Sequence, residues 1–274
     1  MELTLDEFII LRDYIYEKTG LFFAEKKLYF LKTRVGNRIK ETNSSSVKEY
    51  CRFLKYSNSD EELRKLINVV TTNETYFFRD LNQINAYADE ILPAIVESKK
   101  KTGDSRIKVW SAACSTGDEP YTLAILLKEK SSELSSFTIE IVASDIDTDV
   151  LNKCLKGVYT PRAVKDVPED ILYNYFTFDG ENYILSDEIK NMVTFKRLNL
   201  FDSSAVRNIR NVDILFCRNV LIYFDDLSKK QVINDFASVL HKDGFLLLGV
   251  GESLGRISAS FKLVRLKSML AYKK

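Results

Sequence analysis

Histidine occurs once in the 274 residues, at His241, so the side chain most used as a general base and as a metal ligand is nearly missing. Chemistry that needs a proton removed or a transition metal held has little to draw on. The four cysteines, Cys51, Cys114, Cys154 and Cys217, stand at least 40 residues apart. That spacing makes neither a zinc site nor a disulfide framework, and it suits a reducing cytoplasmic compartment. Long apolar runs are missing too: the longest, Phe245–Val250, has six residues, against the roughly 20 that cross a bilayer. Acidic residues in the opening MELTLDEF exclude a signal peptide as the expected reading. There is also no excess of one charge. Forty Lys and Arg against 39 Asp and Glu leave +1, which disfavours a nucleic-acid partner because no global positive charge is available to release counterions.

What is present is the composition of a folded chain, 45% apolar and 29% charged, long enough for one large domain or two modest ones. Residues 1–92 read as an all-helical unit together with a linker helix. Leu5, Phe8, Ile9, Leu11, Tyr14 and Ile15 recur at helical spacing, as do Leu28, Phe30, Leu31, Val35 and Ile39. Ser46 is placed to cap a third helix over 47–56, and Asp60 a fourth ending at Val70. A basic linker, Lys99–Asp104, follows.

Beyond the linker, short apolar runs alternate with helical patterns. Strands are expected at Ile107–Ala113, Phe137–Ala143, Val193–Arg197, Asp213–Cys217 and Phe245–Val250, with helices over 119–130, 147–156 and 226–240. Such alternation predicts an α/β fold with a doubly wound, mostly parallel sheet over 93–274. A terminal antiparallel hairpin is expected from Phe261–Arg265 and Met269–Lys273. One stretch departs from the alternation: Tyr173–Phe178 and Tyr183–Leu185, joined by Asp179-Gly180-Glu181-Asn182, read as a hairpin in a small β insert at about 171–190.

In an open parallel sheet, ligands bind beyond the carboxyl ends of the strands. The loop Ala113-Cys114-Ser115-Thr116-Gly117-Asp118-Glu119 follows the first strand and opens into a helix. It has one glycine rather than three and two acids, an arrangement unfavourable to a pyrophosphate, so a nicotinamide or flavin dinucleotide is disfavoured. After the second strand come Asp145 and Asp147. Asp145 is placed to accept from the hydroxyls of a ribose, and Asp147 to cap the next helix. Arg218-Asn219 leaves an apolar strand and needs polar partners. A ribose without phosphates on such a sheet suggests S-adenosylmethionine.

Four segments then become specific: Thr71–Arg79 (TTNETYFFR), Val109–Tyr121 (VWSAACSTGDEPY), Ala143–Asp147 (ASDID) and Phe216–Phe224 (FCRNVLIYF). Together, and in order over nearly the whole chain, they closely resemble the CheR-type chemotaxis methyltransferases, which methylate glutamate side chains of bacterial chemoreceptors. The resemblance implies a Rossmann-like methyltransferase domain behind an all-helical one. It places Asn73, Thr75 and Arg79 at the methionine end of the cofactor, Glu119 at its amino group and Asp145 at its ribose. Asn199, Leu200, Arg218 and Asn219 would line the adenosine and acceptor side. Arg79 and Tyr223 match positions proposed beside the transferring methyl group. Two departures stand out: the family's Gly-Glu-Glu-Pro-Tyr is Gly117-Asp118-Glu119-Pro120-Tyr121 here, and its Gly-His-Ser-Glu is Gly249-Val250-Gly251-Glu252.

A glutamate acceptor suits a chain with one histidine, since its carboxylate, with an ordinary pKa near about 4.3, is already the nucleophile at neutral pH. For docking, six basic residues between Gly20 and Lys40 (Lys26, Lys27, Lys32, Arg34, Arg38, Lys40) face one acid, Glu25. Such a stripe would steer an acidic receptor surface toward the enzyme, though a merely solvated helix face explains the same spacing. The short loop Asp179–Asn182 points to a member that works without a receptor tether peptide. Methylation of a small molecule or nucleic acid, and a non-catalytic S-adenosylmethionine-binding adaptor, stay open as alternatives.

Overall fold

A computed structural model describes residues 3–56, 60–255 and 257–274. The helical unit comprises Leu5–Thr19, Leu28–Glu41, Val47–Tyr56 and Asp60–Val70. Thr4 caps the first helix in a capping box with Glu7, and the hydroxyl of Ser46 accepts from the Glu49 amide at the start of the third. Asp60 is already inside the fourth helix; the residues before it lie outside those described. Phe8, Leu11, Leu31, Val35, Tyr50, Leu66 and Val70 close a core that belongs to this unit alone.

Seven strands form the main sheet: β1 (Arg106–Ala112), β2 (Thr138–Asp145), β6 (Val193–Arg197), β7 (Val212–Cys217), β8 (Leu240–Leu248), β9 (Lys262–Arg265) and β10 (Leu270–Lys273). Their order is β6-β2-β1-β7-β8-β10-β9, parallel except where β10 pairs antiparallel with β8 and β9. Every residue of β7 is buried, as expected of a strand covered on both faces. Alternate residues feed two cores. Val109, Ile141, Ile214 and Phe216 pack with the helices Leu92–Thr102, Asp118–Glu129 and Thr148–Lys156, while Trp110, Val142 and Leu215 pack with Asp226–Val239. The chain builds outward from β1 through β2 to β6, then crosses back to β7. The switch point therefore lies over the carboxyl ends of β1, β2 and β7.

Three expectations need correction. Lys99–Thr102 is no linker but the end of the helix Leu92–Thr102. Lys99 is buried and bridges Asp104 (2.6 Å) and Asp213 (2.8 Å), the latter on β7 of the sheet. The helix Leu81–Ala86 continues through a π-turn, Tyr87–Ile91, into Leu92–Thr102, and Ile84, Tyr87 and Ile91 pack in the sheet's core. The helical core thus ends at Val70, and the stretch expected as a linker helix up to 92 packs instead with the sheet. In the insert, Tyr173–Tyr175 is helical, part of Glu169–Tyr175 behind Pro168, because three acids and a proline at 166–170 start a helix. The insert's sheet holds β4 (Phe176–Phe178), β5 (Tyr183–Leu185) and an unexpected third strand, β3 (Val158–Tyr159), in the order β3-β5-β4. Among the described residues, no helix is long and apolar enough to cross a membrane.

Candidate active site

The switch point opens into a cleft of about 630 Å³ roofed by the helical unit. Its floor is strained backbone. Phe78, Ala113, Ser115 and Asn219 line it with φ between 50° and 60°, conformations that cost on the order of 1–3 kcal/mol each and gather where function requires them. Gly117, at φ 90°, turns the loop into the helix Asp118–Glu129. A Cβ there would meet the Cys154 sulfur at 3.0 Å.

Asp145 ends β2 and is 5% exposed. Its Oδ2 accepts from the Ser115 amide (2.8 Å) and its Oδ1 from the Asp147 amide (2.9 Å), which leaves each oxygen a further lone pair. Burial pushes its pKa up to about 6, against the pull of these backbone hydrogen bonds, with the Asp147 charge adding to the rise. Asp147 does cap its helix, accepting from the amides of Asp149 and Val150. Its other oxygen takes the Asn73 side-chain amide (2.8 Å) and the Thr71 hydroxyl (3.0 Å). The segment joining the two units is thereby pinned beside the strand end, with half-buried Thr75 on the cleft wall.

Glu119, in the first turn of its helix, accepts from the Ser111 hydroxyl (2.7 Å) and from Arg218 Nη1 (3.1 Å). Arg218 Nη2 donates to the Arg79 carbonyl (2.7 Å) and to Asp80 (2.6 Å). The polar partners that Arg218 needed are found, and one of them, Asp80, escaped the sequence reading. Its position directly after Arg79 was the available signal, hidden because an acid before a helix reads as a cap. Arg79 itself donates to the Glu74 carbonyl (2.9 Å) and lies over the Tyr76 ring at 5.7 Å.

The other expected residues also line the cleft. Asn199 spends its side chain locally, donating to the Lys18 carbonyl (2.7 Å) and accepting from the Phe201 amide (3.0 Å); Leu200 is buried. Tyr223 is half-buried, and its carbonyl accepts from the Phe22 amide (2.9 Å), beside a bridge between Leu21 and Phe224. These contacts seat the helical unit over the sheet. Lys26 and Lys27, exposed, reach the mouth of the cleft with Phe22, Phe23 and Phe30. Arg38 does not belong to that basic stripe. It is buried, bound to Glu62 through Nε (3.0 Å) and Nη2 and to Glu41, because Glu62 offers a carboxylate in the helical core that only a long paired cation could meet. His241 is exposed at the amino end of β8, the far end from the cleft.

The Ser115 amide is given to Asp145, and two carboxylates stand at the strand ends, a donor set that repels phosphate and suits hydroxyls and a cation. S-adenosylmethionine fits it: a ribose, an ammonium and a sulfonium. Doubly wound sheet and site together define an S-adenosylmethionine-dependent methyltransferase. Residues 6–71 match the family model described as CheR methyltransferase, all-alpha domain, and residues 73–270 match CheR methyltransferase, SAM binding domain. The chain belongs to the CheR methyltransferase family.

Among its relatives are chemotaxis protein methyltransferase 2 of Vibrio cholerae, 40% identical over 99% of this chain and 94% of that one, and the chemotaxis protein methyltransferase of Borreliella burgdorferi, 34% identical over 93% and 90%. Solved structures superimpose only loosely. Magnesium protoporphyrin IX methyltransferase from Synechocystis, at 13% identity over 100% and 97% of the two chains, reaches a TM-score of 0.36.

Proposed function

We propose that this protein transfers the methyl group of S-adenosylmethionine to glutamate side chains of chemoreceptor cytoplasmic domains, forming methyl esters and leaving S-adenosylhomocysteine. The observation that carries the reading is that each carboxylate lining the cleft already has a protein partner. Glu119 serves Ser111 and Arg218, Asp145 serves two backbone amides, and Glu74 faces Arg162 at the surface (3.5 Å). With His241 at the other end of the sheet, an acceptor that arrives already ionised is the one this cleft can serve.

Bound there, the cofactor supplies an electrophilic methyl carbon on a sulfonium. Asn73, Thr75, Arg79 and Glu119 would hold its methionine end, Asp145 its ribose, and Leu200, Asn199, Arg218 and Asn219 its adenosine and the acceptor side. Arg79 and Tyr223 orient the acceptor carboxylate. A fixed cation clamped to that carboxylate would hold the ground state more tightly than a transition state in which charge is being annihilated, and Arg79, already shared with a carbonyl and a ring, is a mild one. Alignment in a cleft that the helical unit screens from water supplies the main gain, about 7–11 kcal/mol in favourable cases.

Lys26 and Lys27 at the mouth, with Lys32, Arg34 and Lys40 behind them, give an acidic receptor helix its approach. The four free, buried cysteines fit work in the cytoplasm. The four-residue loop Asp179–Asn182 supports docking without a tether peptide. The test is incubation with methyl-labelled cofactor and a receptor cytoplasmic fragment: label released as methanol in mild alkali supports the reading. Cofactor binding with no alkali-labile label on any fragment would instead mark a binding adaptor.

A further inference from the structure

We infer that Glu252 is a positioning residue for methyl transfer, its carboxylate holding the loop after β7 in the form that presents Asn219 and Tyr223 to the cleft. The inference rests on the function proposed above. The loop Arg218–Tyr223 carries three of the expected site residues, Arg218, Asn219 and Tyr223, yet its own support is slight: Asn219 sits at φ 60°, the turn Leu221–Tyr223 has no side-chain cap, and one backbone bond, Tyr223 amide to Val220 carbonyl (3.1 Å), closes it from within. The amides of Asn219 and Ile222 are held from outside the loop. Glu252 Oε2 accepts from the Asn219 amide (2.8 Å) and from the Gly249 amide (2.8 Å), and Oε1 from the Ile222 amide (3.3 Å). One carboxylate thus ties the end of β8 to the loop beyond β7, across the carboxyl ends of adjacent parallel strands.

Glycine at 249 makes the arrangement possible. A Cβ there would lie 2.8 Å from Glu252 Oε2 and 2.9 Å from the Asn219 nitrogens, so any side chain would force the carboxylate or the loop away. The Glu252 amide returns to the Gly249 carbonyl (2.9 Å), which closes the turn that aims the carboxylate. Glu252 does not itself line the cleft. Its influence on catalysis runs through the backbone of the residues that do. Charge-assisted acceptance from several amides is among the stronger hydrogen-bonding arrangements available, and it fixes direction as well as distance.

The experiment uses the full chain with Glu252→Gln, which keeps shape but turns a donating NH₂ toward amides that themselves donate. Kd for S-adenosylhomocysteine is read by calorimetry, kcat and KM on a receptor fragment by label transfer. A misplacement on the scale of 1 Å costs roughly 100-fold in rate, so kcat should fall about 10- to 100-fold while receptor KM, set by the basic mouth, moves less than about threefold. Tyr223→Phe should lose most of its effect in the E252Q background, a non-additivity that a general loss of stability would not produce. Should E252Q fail to fold, Glu252→Asp, which keeps the charge but falls one methylene short, is read in the same way and should give an intermediate kcat. Wild-type kcat in the folded variant, or full additivity with Tyr223→Phe, overturns the inference. If the wild-type protein labels no receptor fragment, the proposed substrate falls instead, and Glu252 is still judged by S-adenosylhomocysteine affinity: several-fold weaker in E252Q supports its role, unchanged refutes it.

Discussion

Two arginines, one in each half of the molecule, do the same chemistry to different ends. Arg38 in the helical unit and Arg218 at the strand ends both have side chains nearly withdrawn from water, 11% and 4% exposed, and each pairs with two carboxylates. Around Arg38 the accounts close: Glu62 is buried and also accepts from the Tyr50 hydroxyl (2.7 Å), and neither Arg38 nor Glu62 lines the cofactor cleft. Around Arg218 they do not. Its Nε is buried without a partner among the described residues, Asp80 is 31% exposed at φ 60°, and Arg218 and Glu119 line the cofactor cleft. A saturated ion pair in the helical core specifies packing, whereas an unsaturated one on strained backbone keeps polarity in reserve for a ligand.

The comparison is open to attack from its strongest side first. Arg38→Met strands Glu62 and should cost about 3–5 kcal/mol, lowering Tm by roughly 10 °C or more, with Kd for S-adenosylhomocysteine unchanged below the transition. Adding Glu62→Leu should recover much of that loss. Calorimetry showing that R38M weakens ligand binding without lowering Tm would break the contrast.

At the strand ends the order of effects reverses. Asp145→Ala removes the acceptor assigned to the ribose and should weaken S-adenosylhomocysteine binding about 10- to 100-fold. Arg79→Ala should slow transfer, read by single-turnover kinetics, more than it weakens S-adenosylhomocysteine binding.

Proton linkage sharpens the contrast further. Burial holds both Asp145 and Asp118, the first residue of the helix Asp118–Glu129, up at about 6, the latter opposed only by the Thr116 hydroxyl and backbone hydrogen bonding. An acid raised in the folded state contributes stability below its ordinary pKa near 3.8 and loses it as pH rises through about 6. Ligand binding to the ionised Asp145 runs the other way, so Kd should rise by up to about tenfold for each pH unit below 6. Titrations between pH 5 and 8 that show no such slope would remove Asp145 from the ribose.

The smallest effect belongs to the mouth. Replacing Lys26 and Lys27 together by Glu should raise receptor KM about three- to tenfold at low salt, an effect that fades as ionic strength rises, with kcat and cofactor affinity intact.

Much of this was legible beforehand because it is local. Val193–Arg197 reads as a strand and is one, residue for residue. Asp147 caps while Asp145 faces the cleft, as their order after the strand requires. Illegible parts involved partners distant in the chain. A two-residue strand, β3, is too short to have a period, and it exists because β5, 25 residues later, pairs with it. Lys99 looks like linker charge until Asp213 closes on it.

The sequence by itself determined most of the helices and strands, the caps of Asp147 and Ser46, and which residue types stand at the strand ends, since these depend on neighbours within a few positions. Only the tertiary structure decided which arginine is plug and which is site, that Asp80 shares Arg218 with Glu119, and that Glu252 reaches back 33 residues to the Asn219 amide. Hydrogen bonds and ion pairs of that kind depend on distance in space, which chain order leaves undetermined until the core has packed.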